Sequence, residues 1–233
     1  MTAVSAAGPS QGAKAPSGGS AAHEVSSVGA DMPTTNILVV GVGGQGVMTA
    51  AEVLARVALA AGLDACKTEV AGMSQRGGVV SSQVRIGPHV HASEITPGTA
   101  DVLIALESAE ALRWCHWLRP GGQVVVNTLR AVPPIVSSGK ASYPDDPVAD
   151  VRALGFMVAA VPATDIAVQL GDVRLANTVM LGAAADSLPL GADALLAQVL
   201  ARFAGKERLR ALNAAAFDAG RRASRAPAEA NAA

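Results

Sequence analysis

The stretch "NILVVGVGGQGVMTAAEVLARVALAAG", residues 36–62, carries three elements in one unit. Residues 36–40 read as a buried strand. Residues 47–61 read as a helix, with Val47, Ala51, Leu54, Ala58 and Ala61 on its inward stripe, Glu52 and Arg56 four apart outside it, and Gly62 as its stop. Between them Gly41, Gly43 and Gly46 fit a G-x-G-x-x-G turn, with Gly44 as a fourth glycine and Gln45 inside it. Backbone N–H groups freed of Cβ atoms can approach a phosphate at the positive end of a helix, and the same glycines equally serve a tight strand-to-helix turn. The order strand, glycine turn, helix predicts a Rossmann-like opening.

Downstream, "LDACKTEV" (63–70) is a candidate second parallel strand, and "VVSSQVRI" (79–86) alternates as a half-buried strand. After the turn "GPH", "VHASEI" (90–95) is expected to pair back on 79–86 as an antiparallel hairpin. Further strands are expected at 101–106, 123–127 and 156–161. Helices are expected at 109–118 (capped by Ser108), 148–154, 165–170 (capped by Thr164), 174–187, 192–203 and 206–219. The expected fold is a three-layer α/β/α domain whose sheet is mixed and mostly parallel, with one hairpin.

Composition narrows the function classes. Apolar residues are 50% of the 233-residue chain but aromatics only 3%, so the core must be built from Ala, Val and Leu. Net charge is −1 and the only short basic run is "RRASR" (221–225), so the footprint of a nucleic-acid binder is missing. No apolar run reaches the length of a membrane span and no signal-peptide pattern opens the chain, which points to the cytoplasm. Residues 1–33 are expected to be a disordered leader, 34–220 the folded domain and 221–233 a flexible tail. Cys66 and Cys115, without a CxxC partner, supply neither a disulfide framework nor a metal or cluster site and read as two buried thiols.

A second motif lies at 73–78. Ser74, Gln75, Arg76, Gly77 and Gly78 join a hydroxyl, an amide and a guanidinium to two glycines, a set able to clamp an anion or dock on another subunit's site; a solvated loop is the simpler alternative. Arg85 could add a second positive charge. His89 and His91 read as exposed turn histidines, and Glu107 either as a functional carboxylate or as a partner of a helix dipole. A dinucleotide fingerprint would also want an acid near the end of the second strand, where only Asp64 and Glu69 are available.

Taken in order, "ILVVGVGGQGVMTAAEVLA", "EVAGMSQRGGVVSSQVRIG", "ADVLIALESAEALR", "GGQVVVNT", "VPP", "ANTVMLGA" and "RF…LNAAAFDAG" resemble the gamma-type domain of the 2-oxoacid:acceptor oxidoreductases, and within that family the beta subunits of indolepyruvate ferredoxin oxidoreductases. The resemblance spans about residues 36–220. It implies oxidative decarboxylation of an aryl 2-oxoacid with coenzyme A (CoA), giving an acyl-CoA, CO2 and reduced ferredoxin, with thiamine diphosphate and [4Fe-4S] clusters as cofactors. The family's thiamine signature is absent here, and two isolated cysteines cannot hold a cluster. No cofactor is therefore expected on this chain alone. The partners expected are a large thiamine and iron–sulfur alpha subunit and a ferredoxin or other electron acceptor. No catalytic or metal-ligating residue is assigned; Gly41–Gly46 and Ser74–Gly78 are expected to complete the partner's thiamine and CoA pocket, with Arg76 meeting an anionic group. Two alternatives are the same subunit of a phenylglyoxylate or other 2-oxoacid enzyme, and a free-standing nucleotide-binding regulatory module. A purely structural assembly subunit is a third.

Overall fold

Four consecutive side chains of β1 (Thr35–Val42), Ile37 to Val40, are fully buried, as a strand covered on both faces requires. The computed structural model describes residues 32–71, 78–132, 136 and 142–226. In it β1 lies inside a six-stranded sheet of order β2-β3-β1-β4-β5-β6, built with β2 (Asp64–Ala71), β3 (Val79–Gly87), β4 (Ala100–Ala105), β5 (Leu118–Asn127) and β6 (Met157–Val161). β1, β4, β5 and β6 are parallel neighbours. The helices are α1 (Val47–Ala60), α2 (Ser108–Trp114), α3 (Pro147–Ala153), α4 (Ala163–Gln169), α5 (Ala176–Ala184), α6 (Ala192–Ala201) and α7 (Glu207–Arg225).

Alternation along the strands divides the core. Ile37 and Val39 join the cluster under α1 and α4 to α7, whereas Leu38 and Val40 join the one under α2 and α3. The result is the expected three-layer α/β/α mixed sheet. Because β1 leaves through α1 on one face and its neighbour β4 leaves through α2 on the other, their carboxyl ends form a topological switch point.

One expectation about the sheet needs correcting. β2 runs in the direction of β1, as a second parallel strand should, but β3 runs antiparallel between them, pairing Val39 with Ser82 and Ser82 with Glu69. The hairpin is thus β2–β3, and residues 90–95 form no strand. Side chains hold that segment instead: the Ile95 N–H donates to Gln83 Oε1 (2.5 Å), and Arg85 Nη1 donates to the carbonyls of Ala92 (3.0 Å) and Glu94 (3.4 Å). Ile95 then buries in the core, which offsets the lost strand pairing. His89 and His91 are exposed, as expected.

Helix caps also differ. The Glu107 carboxylate, not Ser108, caps α2 by accepting from Glu110 N–H (2.9 Å), while the Ser108 hydroxyl contacts the carbonyls of Leu129 (3.0 Å) and Asn127 (3.2 Å). Thr164 Oγ1 accepts from Asn127 Nδ2 (2.9 Å) and caps nothing. α7 runs beyond residue 219 to Arg225, where Arg221 and Arg225 clamp Asp186 at 2.9 and 2.6 Å. Ala61 is exposed, whereas Val53 and Val57 share the buried face of α1.

α5 and α7, which contain "ANTVMLGA" and "LNAAAFDAG", meet backbone to backbone. A Cβ on Gly182 would lie 2.0 Å from the Phe217 carbonyl oxygen, and one on Gly220 would lie 1.9 Å from that of Val179. Thr178 Oγ1 and Asn213 Oδ1, both buried, hydrogen-bond across the seam at 2.6 Å.

Candidate functional site

The β1–α1 loop is held from inside and from both sides. Inside it, Gln45 Oε1 accepts from Val42 N–H (2.7 Å) and Gln45 N–H donates to the Val42 carbonyl (3.1 Å). A Cβ on Gly41 would sit 2.6 Å from that Gln45 oxygen, so glycine at 41 lets the side chain fold back. Gln45 therefore spends its carbonyl oxygen closing the loop. On one side, Gly43 N–H donates to the Gly78 carbonyl at 2.9 Å. Ser74, Gln75, Arg76 and Gly77 lie outside the described residues, but Gly78 brings the end of that motif against the glycine loop. Arg85 is not near it: its Nε donates to Asn36 Oδ1 (2.9 Å) at the opposite end of the sheet.

On the other side stands Asn177, in the first turn of α5. Its Nδ2 donates to the carbonyls of Gly46 (2.9 Å) and Gln45 (3.3 Å). In a trans peptide the N–H points opposite to the C=O, so holding these two carbonyls orients the N–H groups of Gly46 and Val47 away from Asn177. Gly46 is left-handed, with φ 86°, and contributes no side-chain cap to α1. Asn177 lies within "ANTVMLGA", but nothing in a linear pattern shows that an asparagine at 177 reaches residue 46.

A cleft of about 340 Å³ opens beside the loop at the carboxyl ends of β1, β4 and β5. Gly44, Gln45 and Gly46 line it together with Leu106, Leu129, Met180 and Arg174. A Cβ on Gly44 would meet no atom within 4 Å, so the open space beside that backbone is available to a ligand. Asn127 anchors the wall opposite the loop: its Nδ2 donates to the Leu106 carbonyl (3.2 Å) and its Oδ1 accepts from Ala163 N–H (3.1 Å).

Glu107, at the end of β4, is 1% exposed and fully engaged. Its carboxylate accepts from Glu110 N–H, from Ala131 N–H (3.0 Å) and from the Tyr143 hydroxyl. Burial first, and then the Glu107 carboxylate, push the Tyr143 phenol well above its ordinary value. Arg130 lies over the Tyr143 ring at 4.5 Å. The cluster straps the chain around residues 143–146 onto α2 and resolves Glu107 in favour of the helix-start reading.

A dinucleotide arrangement does not form. With β3 between β1 and β2, Glu69 stands two strands from the loop, about 10 Å across the sheet, and it is already paired with Lys67 at 2.9 Å. Asp64 Oδ2 accepts from Val90 N–H. Cys66 is half-buried, its thiol 3.4 Å from the Val90 carbonyl, and Cys115 is buried on a different element. Among the described residues no three His, Cys, Asp or Glu side chains converge on a metal position. These residues therefore do not fit an iron–sulfur cluster. No described helix is long and apolar enough to cross a membrane.

Fold and cleft together define a three-layer α/β domain with a ligand-sized opening at its switch point. Residues 36–223 match the pyruvate ferredoxin/flavodoxin oxidoreductase family, and the chain belongs to it. The chain is 46% identical to the indolepyruvate oxidoreductase subunit IorB of Archaeoglobus fulgidus over 63% of its own length and 74% of that subunit's. It superimposes on the gamma subunit of a keto/oxoacid ferredoxin oxidoreductase from Geobacter sulfurreducens with a TM-score of 0.59 and 25% identity, covering 82% of this chain and 98% of that one. It shares its fold with part of the 2-oxoglutarate:ferredoxin oxidoreductase of Magnetococcus marinus, solved with 2-oxoglutarate, coenzyme A and succinyl-CoA bound. There the TM-score is 0.65 at 21% identity, over 83% of this chain and 31% of that one. The chain is a subunit of an oxidoreductase.

Proposed function

We propose that the protein is the small subunit of an indolepyruvate-type 2-oxoacid:ferredoxin oxidoreductase, which oxidatively decarboxylates aryl pyruvates with CoA to aryl-acetyl-CoA and CO2. The IorB relative supports the indolepyruvate substrate, and the CoA-bound relative supports the co-substrate. Thiamine diphosphate and [4Fe-4S] clusters belong to the large partner subunit, where they supply the carbanion and accept the electrons. This chain's part is to bind and orient. The glycine-loop cleft forms one wall of the CoA site at the subunit boundary; Asn177 sets the direction of the loop amides; the apolar Leu106 and Leu129 lining excludes water. Ser74, Gln75 and Arg76 are assigned to the same pocket on the sequence motif alone, Arg76 as an anion contact.

The observation that carries this reading is the open cleft beside Gly44–Gly46 at the β1/β4 switch point. Its test is anaerobic reduction of a viologen dye by the native complex with indolepyruvate, phenylglyoxylate, pyruvate or ketoisovalerate, with and without CoA. CoA-dependent reduction with indolepyruvate preferred is the expected result. A preference for another acid moves the substrate, and reduction indifferent to CoA removes the CoA site. In the same complex Arg76→Ala is expected to raise the KM for an anionic substrate; unchanged assembly, constants and turnover would take Arg76 out of the site.

A further inference from the structure

The cleft beside the glycine loop is mostly apolar, and of the described residues lining it only Arg174 is ionisable. Arg174 stands where the chain turns from α4 into α5, and Asp172 holds it there. The Asp172 carboxylate accepts from Arg174 N–H (2.9 Å), from Nε (2.9 and 3.0 Å) and from Nη2 (2.6 Å). One edge of the guanidinium is thereby committed, while the Nη1 donors on its other side are left for a second acceptor. The Arg174 side chain is 84% exposed, and ion pairs at such exposure add little stability. What the pairing does provide is orientation: an arginine already ordered loses less conformational entropy when an anion arrives.

Resting on the functional reading above, we propose that Arg174, oriented by Asp172 at the mouth of the glycine-loop cleft, binds a phosphate group of the phosphorylated co-substrate, CoA. The open backbone at Gly44, where a Cβ would meet no atom, and the Arg174 guanidinium then border one ligand, and the apolar lining takes the uncharged remainder. The 2-oxoacid carboxylate is the other anion in the reaction. Phosphate is favoured because the site is at the rim, where the polar end of a long, amphipathic ligand comes to rest.

The test uses the assembled complex carrying Arg174→Gln or Arg174→Lys. Arg174→Gln is expected to raise the KM for CoA about tenfold, the usual scale for one charge-assisted contact, with kcat, the KM for the 2-oxoacid and the melting temperature unchanged. Arg174→Lys, which keeps the charge and loses the fork, is expected to fall between. An unchanged KM for CoA overturns the proposal, and so does a rise confined to the 2-oxoacid. Calorimetric titration of CoA into the same complexes separates this proposal from the functional reading. Arg174-dependent binding in a complex that turns over no 2-oxoacid would retain the phosphate site and discard the reading; absence of CoA binding in the unsubstituted complex would overturn the site.

Discussion

The β1–α1 loop and the α5–α7 seam both depend on glycine, against different neighbours. At the loop, Gly44 faces open space and a Cβ on Gly46 would meet Asn177 Nδ2, the end of a side chain, at 2.9 Å. At the seam, Gly182 and Gly220 have another helix's backbone about 2 Å from where a Cβ would stand. A loop glycine keeps room for a movable group; a seam glycine keeps two rigid cylinders together. The loop was the obvious glycine motif, yet the fold leans harder on the seam.

The seam gives the largest expected effect. In an exposed helix Gly→Ala gains about 1 kcal/mol. Here the sign should reverse, and Gly182→Ala or Gly220→Ala is expected to cost about 3 kcal/mol or more, read as a lower denaturation midpoint. A neutral result would show that α5 and α7 can separate cheaply, and the contrast with the loop would fail. Gly46→Ala comes next. Forcing alanine into the left-handed region costs about 1–2 kcal/mol, and the displaced Asn177 should raise the KM for CoA beyond any stability effect. Asn177→Ala is smaller in stability, about 1 kcal/mol for its lost bonds. Its KM for CoA should nevertheless rise with kcat retained, and Asn177→Asp, which removes the donor at constant shape, should not rescue it. A change in melting temperature alone would make Asn177 a seam-like structural residue.

The smallest effect concerns acid. Hydrogen bonds from Arg225 and then Arg221 hold the Asp186 carboxyl below its ordinary value of 3.8. A carboxyl lowered in the folded state contributes stability that is present above the unfolded value and lost as pH falls through the folded one. Stability measured below about pH 4 should therefore decline less steeply in Asp186→Asn. An identical acid limb in both proteins would mean that the α7 end is not held by this pair.

Much of this was legible along the chain. β1, α1, β4, β6 and the helical second half follow from apolar periodicity, and the Glu52–Arg56 pair forms at 2.6 Å as its spacing implied. The hairpin partner was misread because the turn "GPH" (87–89) after an alternating strand invites a return over "VHASEI" (90–95), while the bonds that keep that segment off the sheet come from Gln83 and Arg85 side chains. The Ser108 cap was misread for a similar reason. Serine and glutamate are adjacent, and only the position of Leu129 decides that the hydroxyl turns away and the carboxylate caps.

By itself the sequence determined the class: a chain poor in aromatics, rich in glycine at one strand-to-helix turn, with too few cysteines for a cluster and a family resemblance across the whole domain. These are properties of composition and short-range spacing. The tertiary structure alone decided that β3 separates β2 from β1, that Asn177 reaches back to the carbonyls of Gln45 and Gly46, and that Arg174 is the described cation beside the cleft. Each depends on contacts between residues far apart in the chain, whose closure is set by core packing and not by local propensity.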